Sequence, residues 1–194
     1  MLMRALFALG LLSGLTSSSS GQTQPISLKP GSESAIALAY YERIDTRNFD
    51  DYLNRIRLPK ISAAAKAEVL RLVAQGEVVK VTDKLRAKLD ALLPVLRYHQ
   101  RDSVIEIRVV RQKGLFINLQ GRAVLSISEP ALNQLSVEEL QSTVAHELGH
   151  EYFWVEFMEA RQQKRHGLQR EIELRCDGIA VITLQRLGLN SSRL

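Results

Sequence analysis

A single cysteine, Cys176, in a chain of 194 residues excludes an internal disulfide. Apart from any bound metal, stability must come from a hydrophobic core. No cysteine follows the apolar run near the N-terminus, which excludes a lipoprotein of the usual kind. That run, Ala5 to Leu15, is shorter than the roughly 20 apolar residues a membrane-spanning helix needs, and no other stretch is apolar enough. Aromatic residues are only 6 % of the chain and do not interleave with basic ones. With no recognisable binding module either, nucleic acid is not an expected partner.

What is present is ordinary for a globular protein: 45 % apolar and 24 % charged residues, enough chain for one domain with its own core. A net charge of +5 favours anionic surfaces or acidic substrates. Arg4, the apolar run and the small residues after it have the layout of a secretory signal peptide, with cleavage between Ser18 and Thr23 and an uncleaved N-terminal anchor as the alternative. The expected organisation is a signal peptide over 1–21, a Ser/Gly/Gln/Pro-rich linker over 22–34 and a single domain over 35–194. The expected location is therefore periplasmic or extracellular.

Periodicity begins after the linker. Phe49, Tyr52, Leu53 and Ile56 recur at helical spacing, and Pro59 stops that helix. Ser62 caps a second helix through Val69, Leu70 and Val73, ending at Gly76. A third begins at Thr82 and buries Leu85, Leu89, Leu92 and Leu93, with Pro94 bending its end. SVIEIRVV, LFINL and AVLSI then read as strands of a small, mostly antiparallel sheet. Ser136-Val137-Glu138-Glu139 has the spacing of a capping box and opens a long helix toward Gln163. A basic turn around Gly167 leads to a last helix, about Gln169 to Leu187, with Gly188 as its C-terminal glycine. The fold class is α+β: a helix-rich domain with a small sheet and one long helix that carries the candidate site.

The long helix carries His146-Glu147-Leu148-Gly149-His150. Residues i and i+4 share a helix face, so His146 and His150 can converge on one ion. Zinc takes imidazole nitrogen, and a catalytic site typically keeps three protein ligands and one open position. Glu147 is placed to act on a water there as general base. Gly149 costs about 1 kcal/mol against Ala inside a helix, which implies a close approach of other chain to its backbone. A third histidine at position 156 would mark the long form of this motif, but Phe153 and Glu156 occupy the diagnostic positions. Glu173 is the better third ligand. Asp177, one turn on, can accept the free N–H of a ligand histidine and fix its orientation.

The stretch INLQGRAVLSISEPALNQLSVEELQSTVAHELGHEYF followed by EIELRCDGIAV resembles the gluzincin metallopeptidases of the HtpX-like and CAAX-prenyl endopeptidase family. The likeness covers about Asp83 to Gly188. It implies zinc on His146, His150 and Glu173, with Glu147 as base and Asp177 in support. It also implies a role for Asn118 in holding an extended polypeptide substrate. No histidine or tyrosine follows Asp177, which leaves Arg186 or Arg193 to stabilise an oxyanion.

The remaining candidates have plainer readings. Cys176 reads as a buried, inert thiol, and His99 and His166 as surface residues. The run from Arg161 to Arg170 reads as a solvated turn, with contact to an anionic envelope surface as its functional alternative. The expected function is an exported zinc metalloendopeptidase. The alternatives are a catalytically inactive, zinc-stabilised adaptor of the same fold and a metal-free envelope protein.

Overall fold

In the computed structural model, which describes residues 48–73 and 78–190, the spacing of Phe49 and Leu53 is realised as helix α1, Phe49–Ile56, with both side chains buried. The expected signal peptide and linker, the domain start at Ala35, Gly76 and Arg193 lie outside the described residues. Helix α2, Ala63–Val73, begins where the Ser62 hydroxyl accepts the Ala65 N–H at 3.1 Å. Helix α3, Asp83–Asp90, follows Thr82 and buries Leu85. Pro94 does more than bend this helix. Proline cannot continue a helix interior but suits a first turn, so a separate helix α4, Leu93–Tyr98, starts around it.

The strands are β1, Glu106–Val110, β2, Ile117–Gln120, and β3, Val124–Ser128, in the order β1-β3-β2. β2 and β3 form the expected antiparallel hairpin, whereas β1 runs parallel to β3. The sheet is therefore mixed rather than mostly antiparallel. The most buried strand, β3, takes the centre. The chain reverses once before β2 and again after it, which returns β3 to the direction of β1. The hairpin closes with the Ala123 N–H donating to Gln120 O at 3.0 Å, and Gly121 and Arg122 both sit at positive φ, 54° and 59°. A Cβ on Gly121 would lie 2.5 Å from Val69 Cγ2, so α2 packs where only glycine fits.

Helix α5, Glu129–Gln134, is capped by Ser128, and Ser136 opens α6, Val137–Tyr152. The single helix expected toward Gln163 is interrupted at Phe153, after which α7 spans Trp154–Gln162. Helix α8, His166–Arg186, starts three residues earlier than the pattern suggested, and Gly188 follows it at φ +67°. The basic turn is exposed, His166 included. No helix among the described residues is long and apolar enough to cross a membrane.

Two apolar clusters meet along α6 and α8. One joins the sheet to Leu92, Leu96, Leu132, Leu140, Leu148 and Leu184, and the other gathers Phe49, Leu53, Phe153, Ile172, Cys176 and Ile179. His99 is not the expected surface residue. It is 1 % exposed, with Nδ1 2.7 Å from the Tyr152 hydroxyl and Nε2 3.1 Å from the Thr183 hydroxyl. Burial, aided by the positive charge of Arg57 and Arg101, lowers its pKa to about 3. Its burial is invisible locally because it lies past the end of α4, and its partners come from α6 and α8.

Candidate metal centre

The site starts at the cap of α6. The Ser136 hydroxyl accepts the Glu139 N–H at 3.2 Å, and the Glu139 carboxylate accepts the Ser136 N–H at 2.8 Å, which completes the capping box. Three turns later His146 and His150 reach the interior, 7 % and 9 % exposed. They face α8, which crosses α6 at Gly149. A Cβ there would lie 2.8 Å from Cys176 Cα and 3.1 Å from its carbonyl oxygen. The glycine expected to admit a close approach admits the backbone of the helix that carries Glu173.

Glu173 Oε2 lies 3.2 Å from His146 Nε2 and 3.3 Å from His150 Nε2. One donor atom from each of the three residues falls within 4.8 Å of the other two. On its far side, His146 Nδ1 is 2.7 Å from Asp177 Oδ1. Asp177 thus engages one ring nitrogen of His146, while the other faces Glu173. His150 Nδ1 is buried with no hydrogen-bond partner among the described residues, and its ring packs 4.9 Å from that of Phe157.

The electrostatics show what the arrangement lacks. Burial works against a charged His146, yet its bonds to Asp177 and Glu173 outweigh that and raise its pKa to about 10. Burial likewise works against a charged Glu173, and the two histidines outweigh it to bring its pKa down to about 2. Two imidazole nitrogens and a carboxylate oxygen converge where positive charge is strongly favoured. A neutral His146 that donates from Nδ1 to Asp177 turns an Nε2 lone pair toward an anionic oxygen, and a cation between them removes that conflict. Two nitrogens and one oxygen suit zinc, so the donor set fits the ion.

Glu147, partly buried, points elsewhere. Its Oε2 accepts the Leu119 N–H at 2.8 Å. Burial raises its pKa, with the neighbouring histidines acting in the opposite direction. Antiparallel pairing alternates, and Phe116 O already accepts the Ser128 N–H, so Ile117 and Leu119 turn their main-chain groups to the free edge of β2. Asn118 lies on this strand with the opposite parity. Its main chain faces β3, and its exposed side chain accepts a bond from Gln120 Nε2 at 3.1 Å.

Other candidates separate cleanly. Glu156, at the position that excluded the long motif, pairs with Arg175 at 3.0 Å. Cys176 is fully buried, and its thiol pKa is pushed well above 9.0 by burial and then by Glu173 and Asp177, as befits an inert thiol. Arg186 is thirteen residues from Glu173 on the same helix, about 20 Å along its axis, too far to reach an oxyanion at the centre. Sequence reasoning missed Leu119, Glu151, Arg122 and Arg101. A signal for Glu151 was present: His146-Glu147 and His150-Glu151 repeat at i, i+4, which puts both glutamates on one face.

Residues 81–172 match the model of the SprT-like family. No curated protein and no solved structure matches the chain. The match contains all of HELGH and ends one residue before Glu173, so Glu173 and Asp177 stand on the geometry alone. Over residues 81–172 the chain is thus similar to a zincin-like, metallopeptidase-related family, the SprT-like one.

Proposed function

We propose that this chain is an exported zinc metalloendopeptidase with His146, His150 and Glu173 as metal ligands and Glu147 as general base. The observation that carries the reading is the convergence of the three donor atoms within 4.8 Å beside a carboxylate tied to the outer edge of β2. A zinc ion held there would polarise a scissile carbonyl and lower the pKa of a coordinated water from about 15.7 to about 7. Asp177 fixes the ring of His146. An extended polypeptide would pair with the outward-facing main chain of Ile117 and with the carbonyl of Leu119, whose N–H is taken by Glu147. Glu147 takes a proton from the attacking water and delivers it to the departing amine nitrogen. Its raised pKa moves it toward the range in which one group can do both.

Export is supported by the signal-like segment over 1–21. Within the gluzincins, the order of motifs supports an HtpX-like relationship, in a minimal soluble form. The basic turn offers a peripheral contact for an anionic envelope surface.

The test compares wild type with Glu147→Gln on an unfolded protein substrate. Both are expected to hold one zinc per chain, and only wild type to cleave, with a loss of 1,000-fold or so or more in the variant. Equal cleavage by the two would overturn the mechanism. One zinc per chain with no turnover by wild type would favour the inactive adaptor, and a chain without zinc would remove both readings.

A further inference from the structure

Glu147 and Glu151 are one turn apart on the same face of α6, and both contact the β2–β3 hairpin. Glu147 takes the Leu119 N–H from the strand. Glu151 Oε1 accepts from Arg122 Nη2 at 3.1 Å at the turn, and Glu151 Oε2 accepts from Arg101 Nε. The two arginines also tie down the segment between α1 and α2, Arg101 on Leu58 O at 3.0 Å and Arg122 on Pro59 O at 2.6 Å. Glu151 and Arg101 are almost completely buried, 3 % and 2 % exposed.

Two physical oddities meet in this cluster. Buried ion pairs add little net stability over apolar residues of similar size, because desolvation consumes most of the attraction. Arg122 also holds a left-handed backbone conformation, φ 59°, that glycine would hold without strain. Neither feature is what a turn optimised for stability alone would contain, and an observed outlier of this kind points toward function. What this arrangement supplies is position: it fixes the end of the hairpin on the helix that carries His146 and His150.

We propose that Arg122 and Glu151 are positioning residues that clamp the β2 edge onto α6 and thereby hold the Leu119 N–H on Glu147. This rests on the reading of Glu147 as base and of β2 as the substrate edge, and it extends that reading by naming what sets the distance between them. Arg101 neutralises the second oxygen of Glu151, so that the carboxylate can remain buried.

The experiment uses the full chain, zinc-loaded, and follows amide hydrogen exchange residue by residue. Arg122→Gly keeps the turn conformation and removes the clamp, and Arg122→Asn, which also tolerates positive φ but is too short to reach Glu151, is the second variant. Glu147→Ala supplies the rate for a Leu119 amide without its acceptor. Expected for both Arg122 variants are one zinc per chain, an unchanged exchange rate at the Ile127 amide on β3, and Leu119 exchange at least 10-fold faster, approaching that of Glu147→Ala. Peptidase kcat/KM should fall at least 10-fold, mostly through KM. Leu119 exchange equal to wild type in either folded variant would overturn the clamp. If wild type proves to have no peptidase activity, the exchange comparison still decides the clamp on its own.

Discussion

The two faces of α6 solve different problems with the same spacing. His146 and His150 look toward α8, where Glu173 approaches both rings and Asp177 takes the other nitrogen of His146, a set of groups that favours positive charge. Glu147 and Glu151 look toward the β2–β3 hairpin, where their charge is met by a main-chain N–H and by two arginines. The histidine face gathers three donor atoms within 4.8 Å of one another, a set that suits a cation, and the glutamate face pairs its charge with groups of the chain itself. A helix that repeats His-Glu one turn apart can thus gather metal-type donors on one side and hold a strand edge on the other.

The largest expected effect comes from emptying the histidine face of its third donor. Glu173→Ala should weaken zinc binding on the order of 100-fold or more, read by competition with a chelator, because a direct ligand counts for at least as much as its hydrogen-bonded support. Protection of the Leu119 amide should persist. Loss of that protection would show that the two faces are not separable.

Next is the seam between α6 and α8. At an ordinary helical position, Gly→Ala stabilises by about 1 kcal/mol. At Gly149 the added carbon meets backbone rather than a flexible side chain, 2.8 Å from Cys176 Cα. Gly149→Ala should therefore lower stability by about 2 kcal/mol in thermal unfolding, and displace Glu173 with it. A gain in Tm would mean that the helices do not touch there.

The histidine face could be read from the sequence because its logic is local. HELGH sits on one helix, the Glu173 and Asp177 pair on another, and the i, i+4 rule orients both without reference to anything else. Even the need for Gly149 followed from helix propensity. The glutamate face could not be read in this way. Arg122 and Arg101 are 29 and 50 residues from Glu151, and only the closing of the hairpin and the docking of the residue 100–101 turn bring them to it. The parity of β2 was out of reach for the same reason. Asn118 lies on the edge strand as expected, but only the pairing with β3 shows that Ile117 and Leu119 are the residues whose main-chain groups turn outward. The direction of β1 and the burial of His99 likewise depend on partners far along the chain.

His99 gives a third, smaller test, since it is a buried histidine kept neutral, in contrast to the cation-seeking pair on α6. Its folded pKa of about 3 lies below the unfolded value near 6.5, so below pH 6.5 the unfolded chain binds a proton that the folded one does not. Its contribution is complete above pH 6.5 and is lost as pH falls toward 3, about 2 kcal/mol being gone by pH 5. Other groups also contribute to the acid sensitivity of the whole protein. The relevant quantity is therefore the difference between wild type and His99→Gln, and its denaturant-derived stability should narrow from pH 7 to pH 5. A difference that stays constant would mean that His99 is protonated in the folded protein.

The smallest effect belongs to the residue that starts α6. Ser136→Ala removes the hydroxyl that accepts the Glu139 N–H and frees the Glu139 side chain from its return bond. The loss should be about 1 kcal/mol in urea unfolding, as for other N-caps. Both faces of α6 depend equally on the helix, but His146 lies ten residues, nearly three turns, beyond the cap, and its position is set by α8 and the hairpin rather than by the helix end. Zinc stoichiometry and Leu119 protection should therefore remain at wild-type values while stability falls. If zinc binding fell in proportion to stability, the site would depend on the start of the helix, and the separation between its two faces would be secondary to the integrity of α6.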